Sequence, residues 1–240
     1  MPKIAIIIPC HNEANRLSAK AFLDYLTTND HAHFFFVNDG STDSTPAIIE
    51  NLKQSDPQRI HVLHLHANKG KSEAVRTGIL DASRNSAYDY FGYLDADLSA
   101  SLKEFGSLYE FMLKSNADFV SGSRVKMLNT RIDRSAFRHI AGRALATVID
   151  SRYNLGIYDT QCGAKCFTRK IINVFDEPFH TKWFFDIEIF LRLRKIFPSM
   201  KAVEKPLNEW KEPGGSKLTA FSFPTITKEI ITLFSNYRKY

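Results

Sequence analysis

The chain has 240 residues, of which 44% are hydrophobic and 24% are charged, and its formal net charge is +6. This composition is typical of a globular protein and excludes a disordered acidic chain, a collagen-like chain and a coiled coil. The sequence has neither an apolar run near the ~18 residues of a membrane span nor a signal peptide, and its positive charge fits phosphate-bearing partners.

Strand and helix patterns alternate through the first 120 residues. The predicted strands are 3–8, 34–37, 60–65, 90–94 and 118–121, and the predicted helices contain 17–26, 48–52, 71–83 and 102–113. This alternation predicts a largely parallel sheet with helices on both faces. Because connections in such sheets are right-handed, the prediction narrows to a doubly wound α/β domain.

The second half of the chain is less regular. We predict helices at 134–149 and 185–196, strands at 164–168 and 200–207, and a terminal amphipathic helix within 224–240. There is no internal repeat and no clear linker. The simplest organisation is a single domain over 1–240 with a C-terminal helical elaboration.

Four polar clusters follow the first four predicted strands. They occupy 9–13, 38–43, 68–71 and 95–97. In open α/β sheets, ligands bind at the carboxyl ends of the strands, near the point where the strand order reverses. The four clusters together therefore predict a site for a large polar ligand.

The sharpest of these clusters is Asp95-Ala96-Asp97. Two carboxylates with this spacing at a strand end can reach one cation, and hard oxygen ligands suit Mg²⁺ or Mn²⁺. In the alternative interpretation, Asp97 caps the helix that begins near Ser101 and Asp95 is solvated.

Two other clusters indicate nucleotide binding. Asp39 ends the second strand, where an acid commonly accepts hydrogen bonds from a ribose or a base. In the alternative interpretation Asp39 is a turn residue, because Asp and its polar neighbours also favour turns. Lys69 and Lys71 flank Gly70 at a helix start, where they either meet phosphate oxygens or stay solvated. The first strand–helix turn lacks G-x-G-x-x-G and no P-loop motif occurs, which disfavours a Rossmann dehydrogenase and a P-loop enzyme.

The three cysteines predict no disulfide framework and no zinc site. Cys162 and Cys166 form C-x₃-C and Cys10 is remote, while we interpret His61, His64 and His66, which lie in a strand-like run, as surface or packing residues rather than zinc ligands. We interpret all three as structural residues of a reducing compartment.

The four clusters together resemble the inverting family-2 glycosyltransferases of the GT-A type. Further segments look like the dolichyl-phosphate β-glucosyltransferases and, next to them, the dolichol-phosphate mannose synthases. These segments are Ser121-Gly-Ser-Arg124, Asp159-Thr-Gln-Cys-Gly-Ala-Lys165, Trp183-Phe-Phe-Asp-Ile-Glu188 and Trp210-Lys-Glu-Pro-Gly-Gly-Ser-Lys217. One departure concerns the residue two places after Asp97, which is Ser99 where the mannose synthases would have Gln as an additional metal ligand.

The resemblance implies a nucleotide-sugar donor, with UDP-glucose expected first, and a divalent metal, Mg²⁺ or Mn²⁺, held by Asp95 and Asp97. It implies a nucleotide-binding half over 1–120, an acceptor-side half over 121–223 and the terminal helix over 224–240. It implies base and ribose contacts from Pro9, Glu13 and Asp39, and it implies that Lys217 lies near the donor diphosphate. Asn12, Lys69, Lys71 and Asp95 complete the expected nucleotide-sugar-binding residues.

The resemblance also implies a polyprenyl or dolichyl phosphate acceptor, with Arg124 near the donor and acceptor phosphates. Asp97, Arg124 and Asp186 are the expected catalytic residues. A phosphate acceptor is already anionic and needs cations to position it, for which Arg124, Arg134 and Arg138 are candidates. The alternative interpretation of Arg134 and Arg138 is a solvated helix face.

Two other functions stay open. In the first, a family-2 transferase acts on a sugar hydroxyl in cell-surface polysaccharide, and Asp186 is then the general base. If it is not a base, Asp186 caps the helix from Ile187 onward. The second open function is that of a non-catalytic nucleotide or RNA binder. RNA binding predicts aromatic residues among the basic ones, but here the basic residues lie beside carboxylates and glycines, so we expect no nucleic-acid partner.

A lipid acceptor requires contact with a bilayer. We expect a cytoplasmic enzyme, peripheral on the inner face of the cytoplasmic membrane, because the chain starts directly at strand one without the anchor of the eukaryotic glucosyltransferases. The terminal helix is the candidate contact, since it carries Ile226, Ile230, Ile231, Leu233, Phe234 and Tyr237 beside basic residues. In the alternative it packs this side on the domain or on a second subunit, and the sequence leaves the oligomeric state open.

Overall fold

The computed structural model describes residues 1–211 and 223–238. Strands and helices alternate through the first half and continue less regularly afterwards. The strands are β1 Ile4–Cys10, β2 Ala32–Asp39, β3 Ile60–Leu65, β4 Tyr90–Leu94, β5 Phe119–Ser123, β6 Arg131–Asp133, β7 Ala164–Thr168, β8 Ala202–Pro206 and β9 Glu209–Lys211. The helices are α1 Ala19–Thr28, α2 Thr45–Ser55, α3 Lys71–Ser83, α4 Leu102–Ser115, α5 Ala136–Tyr153, α6 Phe185–Ile196 and α7 Phe223–Asn236, with a 3-10 helix at Arg169–Phe175.

Seven strands form one sheet in the order β3-β2-β1-β4-β7-β5-β8. All neighbouring pairs are parallel except those of β7, which runs antiparallel to both β4 and β5. The prediction of a largely parallel, doubly wound α/β domain is therefore confirmed. β6 and β9 are three residues each and form a separate parallel pair that the sequence analysis missed.

The neighbouring strands β1 and β2 are buried on both faces. In β2, Phe34 and Phe36 meet Phe22 of α1 with ring centroids 5.1 and 5.0 Å apart. Val37 points to the other face, where the main chain of α3 approaches it so closely that a Cβ on Gly78 would lie 2.8 Å away. Helices thus cover both faces, and this double burial explains why these strands are apolar runs rather than alternating patterns.

A second, smaller core joins α5, α6 and α7. Its buried members are Ile149, Tyr153, Phe184, Ile187, Leu191, Leu233 and Tyr237, with Ile226, Ile230 and Phe234 packed partly buried against them. The Tyr153 hydroxyl donates to the carbonyl oxygen of Tyr237 over 2.7 Å. Within the described chain, no helix is both long and apolar enough to cross a membrane.

This core corrects the expectation for the terminal helix. The apolar side chains assigned to a membrane surface instead pack on α5 and α6, which is the alternative that the sequence left open. Ile231 is the member of that set that stays exposed, at 62%. The apolar face of α7 is therefore occupied by the protein's own core.

Candidate active site

The candidate active site lies at the carboxyl ends of β1 and β4. These strands are neighbours, while β2 and β3 lie on one side of them and β7, β5 and β8 on the other, so the strand order reverses here. Ligands of open α/β sheets bind outside this reversal point. All four predicted polar clusters lie at this edge, because each follows one of the parallel strands β1 to β4.

The first two clusters are joined by hydrogen bonds. Asn12 adopts a left-handed conformation with φ of 52°, and its Oδ1 accepts from the main-chain N–H of Thr42 over 2.8 Å. The N–H of Asn12 donates to Ser41 Oγ, and that of Glu13 donates to Thr45 Oγ1. These bonds fix the two loops relative to each other. The predicted contacts of Asn12 and Glu13 with a nucleotide remain predictions.

Asp39 joins the second cluster to the third. It is 2% exposed, and its two oxygens accept from the main-chain N–H groups of Lys69 (2.7 Å) and Gly70 (2.8 Å). The carboxylate therefore sets the path of the loop between β3 and α3. Pro9 lies half-buried near the end of β1, and the Lys69 side chain is exposed at the loop.

Asp95 and Asp97 follow β4 and lie among positive charges. Asp95 Oδ1 is 2.5 Å from Lys71 Nζ at the start of α3, and Asp97 Oδ2 is 3.9 Å from a guanidinium nitrogen of Arg16. Burial lowers the pKa of Lys71, but the carboxylates of Asp95 and Asp186 offset this and raise the pKa above its usual value. Lys71 is thus a stable cation facing the carboxylate pair.

Asp97 does not cap α4. Ser101 is the N-cap, and its Oγ accepts from the N–H of Glu104 over 3.2 Å. The Asp97 Oδ1 instead accepts from the N–H and the hydroxyl of Ser99, at 3.0 and 2.7 Å. The capping interpretation of Asp97 is therefore wrong, and Ser99 holds its carboxylate in place.

The main chain of Gly163 passes directly beside Asp95. A Cβ at Gly163 would lie 2.0 Å from Asp95 Oδ2, so only the absence of a side chain leaves this oxygen accessible. Within the described residues no cluster of three His, Cys, Asp or Glu could hold a metal ion. Asp95 and Asp97 nevertheless fit a hard divalent cation whose remaining ligands come from a substrate diphosphate and water.

Asp186 is in the first turn of α6, close enough to Lys71 for its carboxylate to raise the pKa of that lysine. It is 4% exposed, and its Oδ1 lies 2.6 Å from Nζ of Lys165, whose side chain is fully buried. The Tyr93 hydroxyl donates to the same oxygen. The alternative that Asp186 caps α6 is also wrong, because the helix begins at Phe185 and has no side-chain cap.

Arg124 follows β5 and is held by Asp159. Its Nε and a guanidinium nitrogen donate to the two oxygens of that carboxylate, at 2.6 and 2.8 Å, and its Cζ lies 5.4 Å from the centroid of the Trp210 ring. Burial raises the pKa of Asp159, but the Arg124 hydrogen bonds outweigh it and hold the pKa well below its usual range. Arg124 therefore presents a fixed positive charge.

Of the other predicted phosphate-binding cations, Arg134, Arg138 and Lys217, the structure describes only the side chain of Arg134. Arg134 is half-buried with its guanidinium beside Gly142 of α5. The Arg138 side chain and the whole of Lys217 lie outside the described residues, so their predicted contacts with phosphates remain predictions.

Sequence reasoning missed three residues that shape this site. Lys165 ends a segment that carries the resemblance, but its contact with Asp186 was not foreseen because a lysine in a strand usually reaches solvent. Gly163 approaches Asp95 only because β7 is antiparallel, which the pattern did not reveal. Arg16 lies in a polar loop, and no pattern in the sequence indicated that its guanidinium approaches Asp97.

Comparisons with known proteins identify the family of this chain. Glycosyl transferase family 2 matches residues 5–174. A dolichyl-phosphate beta-glucosyltransferase of Dictyostelium discoideum is 31% identical, with 98% of this chain and 74% of the relative covered. One of Drosophila melanogaster is 30% identical, with 98% and 75% covered.

Solved structures show the same fold. The glucosyl-3-phosphoglycerate synthase of Mycobacterium tuberculosis, in complex with Mn²⁺, UDP and phosphoglyceric acid, gives a TM-score of 0.71 at 16% identity, covering 97% of this chain and 78% of that one. A Pyrobaculum calidifontis mannosyltransferase with GDP-Man and Mn²⁺ gives 0.60 at 16% identity, covering 98% and 64%. The fold is thus of the GT-A type, and with the family match and the two relatives it establishes that the chain belongs to glycosyl transferase family 2.

Proposed function

We propose that this protein transfers a hexose, with inversion, from a nucleotide-sugar to a polyprenyl or dolichyl phosphate, and that the donor is UDP-glucose. Relatives named dolichyl-phosphate beta-glucosyltransferase align with 98% of the chain, and a Mycolicibacterium smegmatis polyprenol monophosphomannose synthase aligns with 89% of it at 27% identity. These names support a lipid-phosphate acceptor. The acceptor is a membrane lipid, so the proposal includes peripheral contact with a bilayer at the cytoplasmic side.

The contacts of Asp186 favour a phosphate acceptor over a hydroxyl acceptor. A hydroxyl acceptor must lose a proton, which requires a carboxylate or another base within reach. Asp186, the predicted base, is buried and its Oδ1 is already shared by Lys165 and Tyr93. A phosphate acceptor attacks in its anionic form and needs no such base, and this agrees with an Asp186 committed to internal contacts.

The site's own residues then perform three tasks. The loop set by Asp39 receives the nucleotide, Lys71 faces the departing diphosphate, and Arg124 attracts the acceptor phosphate. Asp95 and Asp97 would hold a divalent cation, which when bound neutralises charge on the diphosphate. Because Lys71 and Arg124 are fixed by Asp95 and Asp159, their charges require little reorganisation during transfer.

A paired acceptor assay tests this proposal. Calorimetry with Mn²⁺ over UDP-, GDP- and dTDP-sugars first identifies the donor. Labelled sugar is then offered to a polyprenyl phosphate and, as the matched control, to the corresponding polyprenol. We expect transfer to the phosphate alone. Transfer to the polyprenol or to a free sugar at a comparable rate would favour the hydroxyl-acceptor alternative.

A further inference from the structure

Glu229 of the terminal helix accepts three hydrogen bonds from consecutive main-chain N–H groups. Its Oε1 lies 2.9 Å from the nitrogen of Lys182, and its Oε2 lies 2.7 Å from that of Trp183 and 3.3 Å from that of Phe184. These amides immediately precede α6, whose first turn carries Asp186. A carboxylate at a helix start also interacts favourably with the helix dipole.

The segment 182–184, whose N–H groups donate to Glu229, also contacts the active site. The carbonyl of Trp183 accepts from Gln161 Nε2 over 3.0 Å, and the carbonyl of Gln161 accepts from a guanidinium nitrogen of Arg124 over 3.0 Å. Three hydrogen bonds, linked through Trp183 and Gln161, therefore connect α7 to the cation proposed to attract the acceptor phosphate.

The same segment also reaches the phosphate side of the site. Side-chain carbons of Lys182 lie 3.3 to 3.6 Å from the position of a Cβ on Gly70, at the start of α3. Lys182 thus covers the loop that Asp39 holds. Glu229 fixes the main chain from which both contacts depart.

A second carboxylate holds the preceding residues. Glu188 is fully buried and accepts from the N–H groups of His180 (3.1 Å) and Thr181 (2.6 Å). The hydroxyl of Tyr237, just after α7, donates to Glu188 over 2.9 Å. The five successive main-chain N–H groups of 180–184 therefore all donate to Glu188 or Glu229. Glu229 belongs to α7, and Tyr237, which follows α7 directly, contacts Glu188.

We propose that Glu229 is a positioning residue of the active site, acting through Trp183 and Gln161 on Arg124. Its three hydrogen bonds go to main-chain N–H groups, so it acts on Arg124 indirectly. The terminal helix would then serve catalysis by fixing the segment 180–184. This inference rests on the proposed function, since Arg124 is given its task there.

A double-mutant cycle tests the route. We expect Glu229→Gln to lower kcat/KM ~10-fold or more, because its amide group opposes one of the N–H donors. In a Gln161→Ala background the same change should cost less than ~2-fold, since coupled residues are not additive. Glu229→Asp, which keeps the charge but is one methylene shorter, carries the same expectation should Glu229→Gln not fold. Glu110→Gln, on the exposed side of α4, is the matched control and should leave kcat/KM unchanged.

Fluorescence gives a readout that needs no substrate. The chain has two tryptophans, so Trp210→Phe leaves Trp183 as the sole tryptophan, which is excited selectively at wavelengths that its nine tyrosines do not absorb. Adding Glu229→Gln should raise acrylamide quenching of Trp183 in native protein, while Glu110→Gln should not. Additive losses in the cycle, or unchanged quenching, would overturn the positioning role. Absence of transfer from every donor would instead refute the proposed function, and the quenching result would still stand.

Discussion

The main chain of Gly163 lies against the carboxylate of Asp95, with space for a hydrogen but not for a methyl group. Because a Cβ there would be 2.0 Å from Oδ2, Gly163→Ala must displace Asp95 from its position beside Lys71. We expect a loss of at least ~10-fold in donor affinity measured with Mn²⁺ by calorimetry.

Gly156→Ala is the control for this prediction. Gly156 has φ of +66°, and no atom of the described residues lies within 4 Å of its Cβ position, so alanine should cost stability without disturbing Asp95. Normal donor affinity in Gly163→Ala would show that Asp95 does not contact the donor complex.

Asp97→Asn should abolish transfer and metal-dependent donor binding with little change in melting temperature. The carboxylate caps no helix, so its charge can be removed without loss of α4. Ser101→Ala is the reciprocal variant, which should lose ~1 kcal/mol of stability through the missing N-cap but keep donor binding. Full activity of the wild-type protein after metal stripping with EDTA would contradict a metal role for Asp95 and Asp97.

Asp186 and Lys165 should depend on each other for stability. Asp186→Asn leaves the fully buried Lys165 without its partner charge, which should lower the free energy of unfolding by ~3–5 kcal/mol. The double variant Asp186→Asn/Lys165→Met removes both charges and should recover most of that loss in urea denaturation.

The same double variant separates the two acceptors. If Asp186 only holds structure, the refolded double variant should keep measurable transfer to polyprenyl phosphate. Loss of a true general base typically costs ~10²–10⁴-fold in rate. A loss of that size in a fully stable double variant would identify Asp186 as the base.

Asp39→Ala should weaken all donors of one nucleotide by a similar factor. The change leaves the N–H groups of Lys69 and Gly70 without their acceptor and releases the loop before α3. A lost hydrogen bond to a charged group is worth ~1.5–3 kcal/mol, or about one to two decades of affinity. Calorimetry with UDP and several UDP-sugars checks this, and a loss confined to one sugar would contradict a nucleotide-side role.

Stability should fall on mild acidification because of His33. Burial, with smaller contributions from Lys3, His61 and Arg59, lowers the pKa of His33 from 6.5 to about 4. The unfolded chain therefore takes up the proton first, so this contribution to stability is complete above pH 6.5 and is lost as pH falls towards about 4.

Urea unfolding at pH 7.5 and 5.0 measures the effect. We expect at most ~2 kcal/mol lost over this interval from His33. His33→Phe, which cannot titrate, should show a smaller difference between the two pH values. An equal difference in both proteins would assign the acid sensitivity to other groups.

The sequence predicted what depends on local pattern. The strands 60–65 and 90–94 and the helix 71–83 are confirmed to the residue, because each is an apolar run or a helical face bounded by turn residues. The strand-end clusters also lie where predicted, since parallel strands bring their carboxyl ends to one edge. Local pattern and sheet geometry were sufficient for these elements.

Contacts between distant segments could not be predicted in this way. β6 and β9 are three residues long and pair across more than seventy residues, so neither gives a periodic signal. Lys165 resembles any strand lysine until Asp186 is found 2.6 Å away. The destination of α7 was equally hidden, because an amphipathic helix has the same pattern whether it meets lipid or its own core.

The reversed direction of β7 has a consequence for how the chain assembles during synthesis. β4 and β5 do not pair with each other, since β7 lies between them and is bonded to both. The four-stranded parallel unit β1 to β4 can form as soon as residue 94 has left the ribosome. β5 is complete at Ser123 but must wait some forty further residues, until β7 arrives at Ala164–Thr168, before it can join β4 through β7. From Leu94 until Ala164, some seventy residues, the nascent chain exposes an unpaired strand edge at β4, and this is when chaperone binding or misassembly would act.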